Sequence, residues 1–145
     1  AEGYGVVMWL DGQQHRYVNE LSTMNAFFRI GDTIVTPEAD GTILEGITRD
    51  SAMQLLREQG YAVESRPVDI QEVMEAGRNG TLKEAFGTGT ATVVMPLKSI
   101  TFQGETVEPA PVDTWEAGPF IKESLRKIRI RETGDPHGWL EAVNV

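Results

Sequence analysis

Apolar and polar positions along the chain fall into short blocks that predict strands first and helices later. The run Tyr4 to Leu10 (Tyr-Gly-Val-Val-Met-Trp-Leu) is continuously apolar and stops at Asp11-Gly12, the pattern of a fully buried strand entering a tight turn. Arg16-Tyr17-Val18 predicts the returning strand and places Glu20 just past its end. Met24, Ala26, Phe28 and Ile30 alternate with Asn25, Phe27 and Arg29, which predicts a third strand. Gly31-Asp32 turns it into a fourth, Thr33 to Thr36, ended by Pro37. Strands joined in this way predict a β-meander.

The helical period takes over at about Thr48 to Gln59. There Ala52, Leu55, Leu56 and Gln59 share one face with Met53 beside them, and Gly60 supplies a stop. Tyr61 to Arg66 predicts a strand before Pro67, and Asp69-Ile70-Gln71-Glu72 has the form of a capping box opening a second helix through about Gly77, before Asn79-Gly80. Lys83 to Gly87 and Thr92 to Ile100 predict strands on either side of Gly87-Thr88-Gly89-Thr90, and Phe102-Gln103-Gly104-Glu105 a further hairpin turn. A Pro-rich connector, Pro109 to Thr114, leads to a third helix with Pro119 near its first turn and Phe120, Ile121, Leu125 and Ile128 as its apolar face. Trp139 to Val143 predicts a last strand. The pattern is mixed α/β, mostly sheet, with helices packed outside.

Composition narrows the function classes. The 145 residues make one domain's worth of chain, with 40% apolar and 24% charged positions, ordinary for a globular fold. No apolar run approaches the ~18 residues of a membrane span. A net charge of −9 argues against nucleic-acid or anionic-membrane partners, which need clustered Lys and Arg. Zero cysteines remove disulfides and zinc–cysteine sites. The chain opens on Ala1 rather than Met, and is read as a piece of a longer protein.

Three segments could carry chemistry. A helix N-terminus leaves backbone N–H groups unpaired at the positive end of its dipole. Gly46-Ile47-Thr48 therefore forms either a phosphate cradle or a plain loop end with a helix cap. Gly87-Thr88-Gly89-Thr90-Ala91 is either a second anion nest or a tight turn between strands. Glu20 is either a solvated acid or the ionised partner of a protonated ring nitrogen. His15 and His137 are assigned to the surface or to local hydrogen bonding, no metal site is expected, and Trp9, Trp115 and Trp139 are read as core or interface anchors.

Singly these motifs are weak, but together and in this order they resemble the branched-chain aminotransferases, pyridoxal-phosphate enzymes. The likeness also includes Trp9-Leu10, Asn79-Gly80-Thr81-Leu82 and Asp135-Pro136-His137-Gly138-Trp139. It implies that residues 1–145 form the C-terminal, larger domain of a fold-class-IV aminotransferase, a distorted β-pseudobarrel with helices outside. The smaller N-terminal domain and the catalytic lysine would lie upstream of Ala1, since Lys83, Lys98, Lys122 and Lys127 occupy none of the lysine's positions.

By the same resemblance, Glu20 pairs with the pyridine nitrogen of pyridoxal 5'-phosphate, and Leu44 packs on its ring. Ile47, Thr48 and Thr90 bind its phosphate. Thr90 and Ala91 receive the substrate carboxylate, while Thr23 lines the pocket with Asn25 behind it. There are departures: Ser22 stands where relatives often have Gly, Glu45 where bacterial relatives often have Pro, and Thr92 and Met95 replace a cysteine pair of some animal relatives. Residues 128–133 depart too, and no function is carried onto them. The implied activity is amino transfer between leucine, isoleucine or valine and 2-oxoglutarate, in a cytoplasmic homodimer, with this chain alone inactive. The alternatives are an aminodeoxychorismate lyase-like enzyme of the same fold and a non-catalytic binding or assembly domain.

Overall fold

The computed structural model describes residues 5–22, 24–38, 47–89, 93–130, 132 and 134–139. Its elements are β1 (Met8–Leu10), β2 (Val18–Leu21), β3 (Asn25–Ile30), β4 (Thr33–Thr36), α1 (Ile47–Glu58), β5 (Ala62–Ser65), α2 (Ile70–Asn79), β6 (Leu82–Thr88), β7 (Val94–Pro96), β8 (Ile100–Phe102), β9 (Glu105–Val107) and α3 (Ala117–Arg129). One sheet has the order β5-β4-β3-β6-β7, and β1-β2 and β8-β9 form two-stranded ribbons. Among the described residues these sheets are open, so the expected pseudobarrel takes the form of a mixed sheet flanked by ribbons.

Alternation along β3 splits the core into two layers. Phe27 stacks on Phe86 at 5.4 Å between ring centroids, and both pack with Ile34, Ala52, Leu56, Trp115 and Ile121 under α1 and α3. Phe28, Val35 and Ala85 face the other way, onto Val73 and Met74 of α2 and Val107 of β9. That layer explains the glycine inside α2. A Cβ at Gly77 would come within 2.5 Å of Val107, so the helix approaches β9 as closely as it does because Gly77 has no side chain.

Several expectations are corrected. The first strand is shorter than Tyr4 to Leu10 and not fully buried, since Val7 and Trp9 are each 55% exposed. Instead of a tight Asp11-Gly12 turn, the Asp11 carboxylate accepts the N–H groups of Gln14, Arg16 and Tyr17 at 2.6, 2.7 and 2.7 Å, holding a wider loop. The meander is interrupted, because β2 pairs with β1 while β3 joins the large sheet. Asp69 caps α2 by accepting from Gln71 N at 2.9 Å, but Glu72 binds Arg66 rather than closing a capping box. Gln59 is exposed rather than on the buried face of α1. The segment read as one strand from Thr92 to Ile100 is two, β7 and β8. Leu97 N still donates to Ala85 O of β6 at 2.8 Å, and beyond it β8 pairs with β9 rather than with β6. Of the predicted last strand, Trp139 is not in a strand and the rest lies outside the described residues.

The Asp11 loop yields a pH test. Its backbone hydrogen bonds, that from Tyr17 first, pull the Asp11 pKa from 3.8 to about 2. A folded-state pKa below the unfolded one means the stabilisation is complete above pH 3.8 and is lost as pH falls through about 2. NMR titration of the Asp11 carboxyl carbon should give a midpoint near 2. A midpoint at the ordinary carboxylate value would mean the loop is not held this way.

Candidate functional site

The large sheet has one polar end. β4 and β5 are parallel, with Thr36 opposite Ser65, while β3 runs antiparallel to both β4 and β6. The carboxyl ends of β4, β5 and β6 therefore share one end of the sheet with the first residue of β3. In open α/β sheets, ligands sit at such carboxyl ends, beside helix N-termini. Three polar side chains are buried there: Asn25, Thr36 and Thr88. Asn25 lies opposite Thr88 in the β3–β6 register, and Thr36 Oγ1 donates to Ala26 O at 2.7 Å. Among the described residues, Thr88 Oγ1 is buried with no hydrogen-bond partner. A buried hydroxyl without a partner costs about 1–3 kcal/mol, so this end is built to meet something polar.

The N-terminus of α1 opens at the same end. Arg49, in its first turn, donates from Nη2 to Pro37 O at 2.9 Å and to Ser65 Oγ at 2.8 Å. One guanidinium thus ties the helix start to the ends of β4 and β5. Ile47 is the first residue of α1 and Thr48, half-buried, the second, so their N–H groups are among those a helix leaves unpaired.

Glu20 is in β2, not beyond it, and lies opposite Trp9 of β1. Cross-strand partners share a face, so Glu20 and Trp9 point the same way, opposite to the buried Leu21. Leu21 and Met24 exchange both backbone hydrogen bonds, at 2.8 and 2.7 Å. This short turn brings Glu20 to the end of β3 where Asn25 meets Thr88. Ser22 adopts φ +52 within it, a left-handed geometry that favours glycine. Ser22 compensates by bonding Val7 in both directions: its N–H donates to Val7 O at 2.6 Å, and its Oγ accepts Val7 N at 3.2 Å.

The structure thus brings Glu20, Asn25, Ile47 and Thr48 to one end of the sheet with Thr88. Thr23, Leu44, Thr90 and Ala91, and Gly46 of the cradle, lie outside the described residues. Lys83, Lys98 and Lys122 are exposed and Lys127 is half-buried on α3.

Sequence reasoning missed two buried ionic groups, Arg49 and the Arg29–Glu84 pair. Glu84 is fully buried and accepts from Arg29 Nη1 at 3.1 Å and from the Ala117 and Gly118 amides at 2.9 Å each. Burial works against the Arg29 charge, but the bond to Glu84 outweighs it and its pKa moves up. The signal was present in the strand parity: Glu84 shares its face with Phe86, and Arg29 with Phe27. His137 was also misplaced. Its Nε2 donates to the Glu58 carboxylate at 2.8 and 3.0 Å, a contact spanning 79 residues rather than a local one, and its ring stacks on Trp139 at 4.1 Å.

A separate apolar cavity of about 360 Å³ lies between β1 and β8, lined by residues including Met8, Leu10, Leu21, Ile100 and Phe102. Among the described residues, none of the predicted site residues lines it, and its walls carry no ionisable side chain.

The family model described as amino-transferase class IV matches residues 1–100. Branched-chain-amino-acid aminotransferase 2 of Bacillus subtilis is 40% identical over 142 residues, covering 98% of this chain and 39% of that protein. The chain thus spans about two fifths of that relative's length. Among solved structures, the branched-chain amino acid aminotransferase from Escherichia coli superposes with a TM-score of 0.79 at 25% identity, over 99% of this chain and 44% of that one. An aminotransferase from Brucella abortus bound to the cofactor PLP gives 0.67 at 28% identity, over 86% and 40%. This chain belongs to the class IV amino-transferase family.

Proposed function

We propose that this chain is the cofactor-binding, C-terminal part of a pyridoxal-phosphate transaminase that moves amino groups between branched-chain L-amino acids and 2-oxoglutarate. The observation carrying this reading is the start of α1 opening onto a buried polar sheet end, to which the Leu21–Met24 turn also delivers Glu20. The names of the relatives support the substrate class.

The residues present fit the cofactor. The α1 N-terminus, the buried Arg49 cation and the unpartnered Thr88 hydroxyl suit a dianionic phosphate. In this reading the Ile47 and Thr48 amides, the Thr48 hydroxyl and Thr90 hold that phosphate, and Leu44 supports the ring. Glu20 holds a proton at the ring nitrogen. Thr23, Thr90 and Ala91 bind and orient the substrate carboxylate. Trp9, on the face of Glu20, limits water around that acid. When bound, pyridoxal phosphate supplies an electron sink for the pair left at the substrate α-carbon. In this reading the lysine that moves the α-proton lies in a segment upstream of Ala1, separate from the small N-terminal domain, and the chain alone is inactive. Among the described residues no helix is long and apolar enough to cross a membrane, and the intact enzyme is proposed as a cytoplasmic homodimer acting on small molecules.

The test assays the full-length protein with leucine, isoleucine and valine against 2-oxoglutarate, and separately with aminodeoxychorismate. Glutamate formation from the branched-chain acids is expected. Pyruvate release from aminodeoxychorismate alone would assign the lyase instead.

A further inference from the structure

Arg49 is a physical anomaly. It is only 5% exposed, yet the one carboxylate paired with it among the described residues is Asp50, at 3.2 Å with a side chain 65% exposed, a screened and weak neutraliser. Among the described residues its Nε is buried without an acceptor. It also sits in the first turn of α1, where the helix dipole is positive and repels a cation. Burying a charge under these conditions is costly. An uncharged side chain would pack there at less cost, unless an anion normally shares the site.

We propose that Arg49 is the positioning residue of the phosphate cradle: it clamps the first turn of α1 to the ends of β4 and β5 and lends its buried charge to an anion at that helix start. This rests on reading the α1 N-terminus as the phosphate site. The clamp is the pair of bonds from Nη2 to Pro37 O and Ser65 Oγ. Ser65 and Pro37 flank the point where the β4–β5 ladder ends, marked by Arg66 N donating to Thr36 O at 3.1 Å. The helix start is therefore fixed relative to two strands before any ligand arrives. A planar guanidinium holds two acceptors at once, whereas lysine offers a flexible point charge. The two contributions, orientation and charge, are separable by substitution.

The experiment uses the full-length protein freed of cofactor. Equilibrium binding is measured for pyridoxal 5'-phosphate, for pyridoxal, which lacks the phosphate, and for inorganic phosphate as competitor. Wild type is compared with Arg49→Met and Arg49→Lys. Arg49→Met is expected to weaken pyridoxal phosphate and inorganic phosphate by roughly tenfold to a hundredfold, the scale of a lost charge-assisted interaction, while pyridoxal binds as before. Arg49→Lys should recover part of that loss. A merely structural role would weaken pyridoxal and pyridoxal phosphate alike, and that result overturns the proposal, as does unchanged phosphate affinity in both variants. If Arg49→Met does not fold, Arg49→Lys decides: a loss confined to the phosphate-bearing ligands supports the clamp, and a uniform loss or none refutes it. Failure of wild type to bind pyridoxal phosphate would instead bring down the cofactor reading, and this proposal with it.

Discussion

Replacing Glu20 by Gln in the full-length enzyme is expected to lower kcat by about 10²–10³-fold, the scale of removing one preorganised electrostatic contact, while pyridoxal phosphate stays bound. Glutamine keeps the size of the side chain and its hydrogen bonding, but it cannot hold a cation at the ring nitrogen. The electron sink works only as well as that nitrogen stays protonated, so the loss falls on the chemical step. The phosphate contacts proposed for α1 belong to a different element, so cofactor affinity is expected to change little. The fold suits the contact proposed for Glu20. Glu20 sits within β2, half-buried, with Trp9 opposite it on the same face, and a charge contact beside an apolar wall is screened less than one in open water. Rates and bound-cofactor absorbance, measured on the same preparation, check the prediction. Turnover within tenfold of wild type, with cofactor bound, would remove Glu20 from this role.

How far the sequence could be read depended on how local each feature is. The β3–β4 hairpin follows from alternation plus Gly31-Asp32, and the structure pairs Ile30 with Thr33 across that turn. The ends of α1 and α2 follow from Gly60 and Gly80, both at positive φ. The split between β7 and β8 was illegible, because the chain leaves β6 only after Leu97 and β8 then pairs with β9, a tertiary choice. The interruption of the meander was hidden for a similar reason, since it turns on Ser22 entering a left-handed geometry that its side chain does not advertise. At the site, Glu20 and Thr48 are ambiguous one at a time, and only their order along the chain pointed to chemistry. Arg49 lay within that stretch and was passed over. An arginine near a helix start is unremarkable until the structure shows it buried against Pro37 O and Ser65 Oγ.

The largest stability effect is expected from Glu84→Ala, at about 3–5 kcal/mol, the cost of leaving one member of a buried ion pair behind. Three donors lose their acceptor together. Among the described residues, Arg29 keeps a largely buried charge with only the exposed Glu116 at 3.6 Å and the Tyr61 ring at 5.3 Å beside it, and its Nε is already without a partner. The Ala117 and Gly118 amides at the head of α3 lose the carboxylate that stands in for a cap, since Glu116 at the N-cap makes no side-chain capping bond. A carboxylate reaching from β6 to this helix start also answers the α3 dipole, which a cap within the helix would ordinarily do. Pairing the change with Arg29→Met separates these effects. Removing both ion-pair members should recover much of the loss, because no charge is then stranded. A residue of about 1–2 kcal/mol should remain from the uncapped helix. Urea unfolding of the full-length single and double variants measures each quantity. A Glu84→Ala cost below about 1 kcal/mol, the range of an exposed pair, would mean the carboxylate is neither buried nor capping as described. Full recovery in the double variant would mean that α3 does not depend on Glu84 for its first turn.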